Sequence, residues 1–239
     1  MASDLDRVRL DDAAWDAFVG SSDTDFPLQL SAWAAAKAPY GWSSARVVAD
    51  GGSGPIGAQV LMRSLGPGPF AMGYAPRGPV ATAFDEASLV AFSAALRDFA
   101  RSRRLTHVTA DPGLEGTDHH VLFEAAGWHP ADVLQLGSTQ VIDLTKSEEE
   151  LWHDVYKSSR RYANGARKKG CYVGEEGEEA LPAFYEILRE TAERSGFIPR
   201  AIEAYADVYR AFAAEDAARI LIGYLPDGTA VSSKMILTS

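Results

Sequence analysis

The chain has 239 residues, of which 46% are hydrophobic and 23% charged, and its formal net charge at pH 7 is −10. This composition is typical of a globular protein and excludes disordered, collagen-like and disulfide-stapled chains. The negative charge opposes general adhesion to nucleic acid or anionic lipid, so a polyanion must meet a local basic patch. Cys171 is the only cysteine, and residues 1–10 lack an uninterrupted apolar core. We therefore expect a cytoplasmic protein without secretion or a membrane span.

Helical and strand-like segments alternate in the first half of the chain. Residues 84–104 are the clearest helix, because large apolar residues recur at helical spacing and form a core-facing stripe. The stripe consists of Leu89, Phe92, Leu96 and Phe99. Glycine- and proline-rich turns separate the apolar runs 45–49, 56–62 and 70–74, which predicts antiparallel strands. The other predictions are helices over 11–19, 31–37 and 118–126, a buried strand over 105–110, and a strand or strand pair over 133–144.

The second half repeats this alternation. Pro226-Asp227-Gly228 separates two apolar runs, 219–225 and 229–237, and predicts a β-hairpin. The remaining predictions are helices over 148–156 and 158–169, a strand over 171–173, and helices beginning at 181 and 201. The sequence thus predicts an α/β protein of two lobes with mixed sheets, residues 1–145 and 146–239. The second lobe stops on a strand, which would leave an open sheet edge, so we expect it to be incomplete.

A basic cluster stands out in the second half, with no acidic residue between Val155 and Gly174. It consists of Lys157, Arg160, Arg161, Arg167, Lys168 and Lys169. Cations on a helix can neutralise several phosphates, and Tyr156 and Tyr162 can stack on a base or sugar. The alternative is a solvated basic face that is balanced by nearby acidic residues, namely Glu175, Glu176, Glu178 and Glu179.

Asp111 directly follows the predicted strand 105–110 and precedes Pro112. Carboxylates at strand ends often face clefts, where such a group can accept a proton or hold a substrate amine. The alternative is that Asp111 caps the turn before Gly113. Both interpretations stand at this point.

The sequence favours neither a metal nor a bound cofactor. None of the five histidines has metal-ligand spacing. No nucleophile elbow, phosphate loop or dinucleotide motif is present, and Cys171 opens an apolar strand as expected of an inert core thiol. We expect chemistry that relies on positioned side chains alone.

Several segments, taken together, resemble the FemABX family of aminoacyl-tRNA-dependent transferases, which build peptide branches on peptidoglycan precursors. Their order and spacing cover nearly the whole chain. The matching segments are Pro27-Leu28-Gln29, Trp33-Ala34-Ala35-Ala36-Lys37, Gly41-Trp42, Gly73-Tyr74-Ala75-Pro76-Arg77-Gly78-Pro79-Val80, Asp111-Pro112, Gly127-Trp128, Val141-Ile142-Asp143-Leu144-Thr145 and Ala192-Glu193-Arg194-Ser195-Gly196-Phe197-Ile198-Pro199-Arg200. No long helical arm fits before Leu181, so the chain resembles the armless subgroup.

The resemblance implies two GNAT-like acyltransferase lobes and a site for a peptidoglycan precursor in the first lobe and between the lobes. Lys37 and Arg200 match family positions that grip the precursor's phosphates, and a desolvated diphosphate requires such paired cations. Taken alone, each of these cations would be read as an exposed surface residue. The other residues assigned to substrate binding are Tyr74, Arg77, Thr106 and Tyr205.

The implied reaction is attack by a stem-peptide amine on the ester carbon of aminoacyl-tRNA, without a covalent enzyme intermediate. Asp111 is the candidate for orienting or deprotonating that amine. We assign the basic cluster at 157–169 to tRNA phosphates from its charge. The family uses tyrosine where this chain has Thr106 and Ala204, so the acceptor is either UDP-N-acetylmuramoyl-pentapeptide or the lipid-linked precursor, lipid II.

Two other functions remain open. An acyl-coenzyme A-dependent GNAT acetyltransferase would share the lobes, but Arg161-Tyr162-Ala163-Asn164-Gly165-Ala166 misses the spacing of a pyrophosphate-binding loop. A non-catalytic precursor-binding relative would keep the phosphate grip without transfer. The expected partners are aminoacyl-tRNA and a peptidoglycan precursor, with no metal, no DNA, and peripheral contact with the inner membrane face left open.

Overall fold

The computed structural model describes residues 10–22, 24, 26–114, 119–132, 134–135 and 139–238. Contacts within the chain group it into two compact units, one extending through Gln135 and one spanning Leu136–Leu237. The domain limits predicted from the sequence, 1–145 and 146–239, differ from this division and remain a prediction. Within the described ranges, no helix combines the length and apolar character needed to cross a membrane.

The first unit contains four helices and five strands among its described residues. Asp11 caps the first helix by accepting a hydrogen bond from the Ala14 N–H at 2.8 Å. The elements are α1 (Asp12–Gly20), α2 (Ser31–Lys37), β1 (Ser43–Asp50), β2 (Pro55–Ser64), β3 (Ala71–Ala75), β4 (Val80–Ala81), α3 (Glu86–Ser102), β5 (Leu105–Ala110) and α4 (His119–Ala125). These elements confirm the predicted helices and the first four predicted strands to within a few residues at each end.

The sheet of the first unit mixes strand directions. Its path is β1-β2-β3-β5, with β4 paired to β2 beside β3. β1, β2 and β3 are antiparallel neighbours, whereas β3 and β5 are parallel, with Tyr74 opposite Thr109 and Ala75 opposite Ala110. Because parallel strands end at the same edge, the residues that follow β3 and β5 meet there.

The predicted apolar stripe of α3 packs onto this sheet. Leu89, Phe92 and Leu96 are buried in one core cluster with residues of β1 and β2, and Phe99 packs against it. The helical spacing therefore identified the core-facing side of α3 correctly.

Two strand predictions in the first half are wrong in part: the strand over 105–110 is present but not buried, and the strand over 133–144 is not found among the described residues. β5 is only partly buried, with Thr106 and His107 exposed, because it lies at the end of the described strand path and has only β3 beside it. Of the predicted strand 133–144, the described residues 134–135 and 139–144 form no strand. Val141 and Leu144 are 73% and 80% exposed there. Strand propensity does not suffice when no neighbouring strand accepts the backbone hydrogen bonds.

The second unit places helices on an antiparallel three-stranded sheet of order β6-β7-β8. Ile220 and Ile222 of β7 and Phe212 of α8 are fully buried and form the centre of its core. Its elements are α5 (Glu148–Asp154), α6 (Lys157–Lys168), β6 (Tyr172–Glu176), α7 (Leu181–Ser195), α8 (Ile202–Ala213), β7 (Ala218–Tyr224) and β8 (Ala230–Leu237). The α/β class with mixed sheets is confirmed.

The predicted hairpin joins β7 and β8. Gly228 adopts the left-handed φ of 84° that its turn requires, and its N–H donates to the Leu225 carbonyl at 2.9 Å. The Asp227 carboxylate accepts from the Thr229 N–H at 3.0 Å. Turn chemistry thus fixes the end of the second sheet.

A buried glutamine fills a gap in the first sheet. β2 pairs with β4 at Ile56–Gly57 and with β3 at 61–64. Between these stretches, the Gln59 N–H donates to Gln29 Oε1 at 2.7 Å, and Gln29 Nε2 lies 3.4 Å from the Gln59 carbonyl oxygen. The side-chain amide of Gln29 therefore bonds β2 as a neighbouring strand would.

The same amide holds the loop that follows β3. Gln29 Nε2 donates to the Pro76 carbonyl at 2.6 Å. A Cβ atom at Gly78 would lie 2.8 Å from Gln29 Nε2, so the loop can approach this closely only with glycine there. Gln29 is 0% exposed, and its hydrogen bonds set the course of the chain from 76 to 79.

We predict that Gln29→Leu lowers the free energy of unfolding by about 2–4 kcal/mol, since it leaves the buried Gln59 N–H and Pro76 carbonyl without their partner. Urea unfolding followed by circular dichroism measures the change. Gln140→Leu is the matched control because Gln140 is exposed. Equal stability of the two variants would contradict the role of Gln29.

Candidate functional site at the ends of two parallel strands

The side chains that follow β3 and β5 converge on one carboxylate. The Tyr74 hydroxyl donates to Asp111 Oδ2 at 3.1 Å, and the Arg77 N–H donates to Asp111 Oδ1 at 2.8 Å. Each carboxylate oxygen keeps a further lone pair after these bonds. Asp111 therefore bonds across the sheet edge to the end of β3 and retains capacity to accept hydrogen bonds from a ligand.

Arg77 reaches Asp111 through an unusual backbone conformation. Its φ is +55°, which is uncommon for a residue other than glycine and marks functional sites where the surrounding structure enforces it. The guanidinium carbon lies 5.3 Å from the centre of the Phe26 ring. Gln29 stabilises this conformation because its side-chain amide donates a hydrogen bond to the carbonyl of the preceding residue, Pro76.

Tyr74 is a hydrogen-bond donor and not a base at neutral pH. Burial raises the pKa of its phenol to about 12, and the negative charge of Asp111 acts in the same direction. The hydrogen bond from Gln135 and the positive charge of Arg77 oppose this rise in pKa. The phenol is therefore neutral over the physiological range.

Gln135 is the site residue that the sequence did not indicate. Its Nε2 donates to the Tyr74 hydroxyl oxygen at 3.0 Å. Residues 133–144 were predicted as strand, and an isolated glutamine there carries no recognisable signal. Only the folded arrangement reveals this contact.

Lys37 is buried at the end of α2. The residue is 9% exposed, and its Nζ lies 4.1 Å from the centre of the Trp33 ring, a cation–π distance. The reading of Lys37 as an exposed residue at a helix end is therefore wrong. Trp33 and Lys37 are four residues apart in α2, and positions four apart lie on the same face of a helix.

Thr106 lies at the other end of β5 from Asp111. At about 3.3 Å per residue, five residues separate the two by about 16 Å. The Thr106 hydroxyl donates to the Ala71 carbonyl at 3.3 Å, at the start of β3. The structure therefore does not bring Thr106 into the cluster formed by Tyr74, Arg77 and Asp111.

Arg200 and Tyr205 belong to the second unit and differ in environment. Arg200 is exposed in the loop before α8. Tyr205 is half-buried, with its ring centre 5.7 Å from that of Phe184 and 6.1 Å from that of Tyr185. Tyr205 thus contributes to the packing of α8 against α7, whereas Arg200 is accessible.

The basic cluster occupies α6 and the residue after it. No side chain of α6 is buried. In the described part of the chain, none of the six cations forms an ion pair with a carboxylate. Arg160 donates to the His153 carbonyl at 2.5 Å and so caps α5. The Arg161 guanidinium carbon lies 5.2 Å from the centre of the Tyr162 ring, and the other four cations are exposed.

The acidic residues proposed to balance this cluster have other partners. Glu175 pairs with Arg219 at 2.9 Å, and Glu178 pairs with Arg210 at 2.6 Å. Glu176 accepts from the Tyr224 hydroxyl at 3.0 Å, and Glu179 accepts from the Gly177 N–H at 3.1 Å. None of these four acidic residues therefore pairs directly with the basic cluster, and the reading of the cluster as a solvated basic face stays open beside the phosphate-binding one.

Potential metal ligands do not cluster where the structure is described. Within those ranges, no group of three or more histidine, cysteine, aspartate or glutamate side chains is placed to hold an ion. Cys171 is a half-buried free thiol.

Comparison with a solved structure defines the class of fold. The crystal structure of FemX matches with a TM-score of 0.76 and 26% sequence identity, covering 91% of this chain and 57% of that chain. The predicted GNAT-like acyltransferase fold is thereby confirmed.

The family follows from the sequence comparisons. A model of the FemAB family matches residues 10–126 and 116–229. The chain is 28% identical over 220 residues to the lipid II:glycine glycyltransferases of Staphylococcus aureus strains MRSA252 and bovine RF122 / ET3-1. These alignments cover 87% of this chain and 52% of each relative, so the chain spans about half their length. The chain belongs to the FemAB family, as the resemblance predicted.

The raised pKa of Tyr74 predicts a pH dependence of stability. Its folded pKa of about 12 lies above the ordinary value of 10.0. In that interval the unfolded chain binds fewer protons, so the stability due to Tyr74 is complete below pH 10 and declines as the pH rises toward 12. Tyr74→Phe should therefore lose less stability than wild type between pH 9 and pH 11.

Urea unfolding at a series of pH values measures this difference between the two proteins. Tyr162→Phe is the control, because Tyr162 is 68% exposed. Parallel stability curves for wild type and Tyr74→Phe would contradict the burial of the phenol.

Proposed function

We propose that the protein is an aminoacyltransferase, which moves an amino acid from aminoacyl-tRNA to the stem-peptide amine of a peptidoglycan precursor. Membership of the FemAB family supports this class of reaction. One observation points to particular residues. Tyr74 and Arg77 hold the Asp111 carboxylate at the sheet edge, and its oxygens keep lone pairs that can accept further hydrogen bonds. The names of the relatives, lipid II:glycine glycyltransferases, support a cell-wall acceptor.

The proposed reaction forms one bond and breaks one. The amine nitrogen attacks the ester carbonyl carbon, a C–N bond forms, and the C–O bond to the tRNA ribose breaks. The amine gives up a proton and the departing ribose oxygen gains one. The ester is already activated, so the protein has to position the amine and the ester and accept the amine's hydrogen. We assign that acceptance to Asp111, with Tyr74 as a neutral donor beside it.

We assign binding of the acceptor's phosphates to Lys37 and Arg200. A diphosphate is common to the soluble and the lipid-linked precursor, and two cations would neutralise it. The burial of Lys37 supports this role, because a desolvated cation binds an anion more strongly than one in water. Tyr74, Arg77, Thr106 and Tyr205 remain proposed substrate-binding residues, and the exposed position of Thr106 makes it peripheral to the Asp111 cluster.

Binding of the aminoacyl-tRNA phosphates is assigned to the basic cluster on α6. The absence of acidic partners for these cations among the described residues supports the assignment, as do the exposed rings of Tyr156 and Tyr162. The net charge of −10 makes such a local patch necessary for an RNA partner.

Calorimetric titration tests the acceptor site. We expect Lys37→Ala and Arg200→Ala each to weaken binding of UDP-N-acetylmuramoyl-pentapeptide, or of lipid II in detergent, by about 2–5 kcal/mol. Lys234→Ala is the control, because Lys234 is an exposed cation outside the proposed site. Comparison of the two ligands identifies the acceptor.

Three outcomes would contradict parts of this proposal. Binding that neither substitution weakens would contradict the phosphate grip. If the protein encoded by the longest natural reading frame also binds the precursor but transfers no amino acid, it is a non-catalytic relative. Tight binding of coenzyme A would favour an acyl-coenzyme A-dependent acetyltransferase.

Filter binding of tRNA at several salt concentrations tests the basic cluster. We expect Arg161→Ala/Arg167→Ala to weaken binding and to reduce the slope of log K against log salt by about 0.7–0.9 for each tRNA phosphate that the variant no longer neutralises. Arg160 is left intact because it caps α5.

Arg189→Ala/Lys234→Ala removes the same charge elsewhere in the second unit, where Arg189 pairs with Glu186 at 2.8 Å. Equal salt slopes for the two double variants would show that α6 has no special role.

A further inference from the structure

A directed chain of hydrogen bonds leads from Gln135 to Asp111. Gln135 Nε2 donates to the Tyr74 hydroxyl at 3.0 Å, and that hydroxyl donates to Asp111 Oδ2 at 3.1 Å. The Arg77 N–H occupies the other carboxylate oxygen at 2.8 Å. The reaction proposed above uses Tyr74 and Asp111 but gives Gln135 no part.

The chemistry of the three groups fixes the direction of this chain. A phenol has one proton to donate, and an amide NH₂ group can donate but cannot accept. With the NH₂ group of Gln135 facing the hydroxyl oxygen, the phenol proton is left for Asp111. With the amide reversed, Gln135 Oε1 would compete for that proton, and Asp111 Oδ2 would face a lone pair. Only the first arrangement satisfies all three side chains.

We propose that Gln135 is a positioning residue that acts through Tyr74. It keeps the Tyr74 proton directed at Asp111 Oδ2, so that the carboxylate stays in one orientation and its remaining lone pairs face the incoming amine. This inference rests on the proposed aminoacyl transfer, because it assigns the amine to Asp111.

The alternative role for Gln135 is to tie down its own segment of chain. Gln135 lies outside helix and strand, so a bond from its side chain could serve only to hold the backbone there. The two roles differ in one respect. Loss of a positioning residue lowers kcat with little change in the free energy of unfolding, whereas loss of a structural tie lowers the free energy of unfolding.

A double-mutant cycle on the full chain tests whether Gln135 acts through Tyr74, and urea unfolding of the same variants separates positioning from a structural tie. We expect Gln135→Leu and the isosteric Gln135→Glu each to lower kcat about ten-fold, within the range for directly contacting pairs, with the KM for the precursor changed less than about two-fold. In a Tyr74→Phe background the same substitutions should change kcat less than about two-fold. Gln140→Leu, at an exposed glutamine, is the control.

A ten-fold loss from Gln135→Leu in both backgrounds would overturn the proposal, because Gln135 would then act independently of the hydroxyl. Full activity of Gln135→Glu would also overturn it, since an ionised carboxylate cannot donate to the phenol.

A second measurement does not depend on activity. In protein labelled with ¹³C at the tyrosine Cζ, the Tyr74 resonance is identified by its loss in Tyr74→Phe. We expect Gln135→Leu to move this resonance at pH 7 and Gln140→Leu to leave it in place. An unmoved resonance would overturn the bond between Gln135 and Tyr74. If the wild-type protein transfers no amino acid but Gln135→Leu still moves the Tyr74 resonance, the proposed reaction is overturned and the hydrogen bond is supported.

Discussion

The first unit depends on the buried side-chain amide of Gln29, which bonds β2 where no neighbouring strand does so on that side. Between its pairings with β3 and β4, β2 would have unpaired backbone groups in the core, and Gln29 bonds them. The chain can therefore leave the sheet after β3 and return as β4. The excursion carries Arg77, whose N–H meets Asp111 at 2.8 Å. A polar residue in the core thus creates the irregular backbone from which the site is built.

Neutral donors surround the carboxylate at this edge. Asp111 receives a peptide N–H and a phenol, and the raised pKa of Tyr74 keeps that phenol protonated. Among the residues that the structure describes, no cation forms a direct ion pair with Asp111, so the carboxylate is held in place by neutral donors alone. This arrangement suits a group that must attract and orient an amine. The buried Lys37 supplies charge of the opposite sign in the same unit, at the end of α2.

Local patterns predicted most of the fold and part of the site. Helical spacing identified α3, turn residues identified the β7–β8 hairpin, and the position after a strand singled out Asp111, the carboxylate to which Tyr74 and Arg77 donate. The failures concern long-range partners. The segment 139–144 has strand-like residues but no paired neighbour, and Gln135 meets Tyr74 across 61 residues of sequence. The acidic residues near α6 proved to be engaged elsewhere, which no charge count reveals.

The α6 helix carries its charges at a conformational cost. Lys157 and Arg161 stand four residues apart, a spacing at which like charges destabilise a helix by about 0.2–0.5 kcal/mol. With no buried side chain, α6 has little packing energy to offset this repulsion. A polyanion that neutralised the cations would remove the repulsion as it bound. Occupancy of this surface and helicity of residues 157–168 are therefore thermodynamically linked, and each reinforces the other.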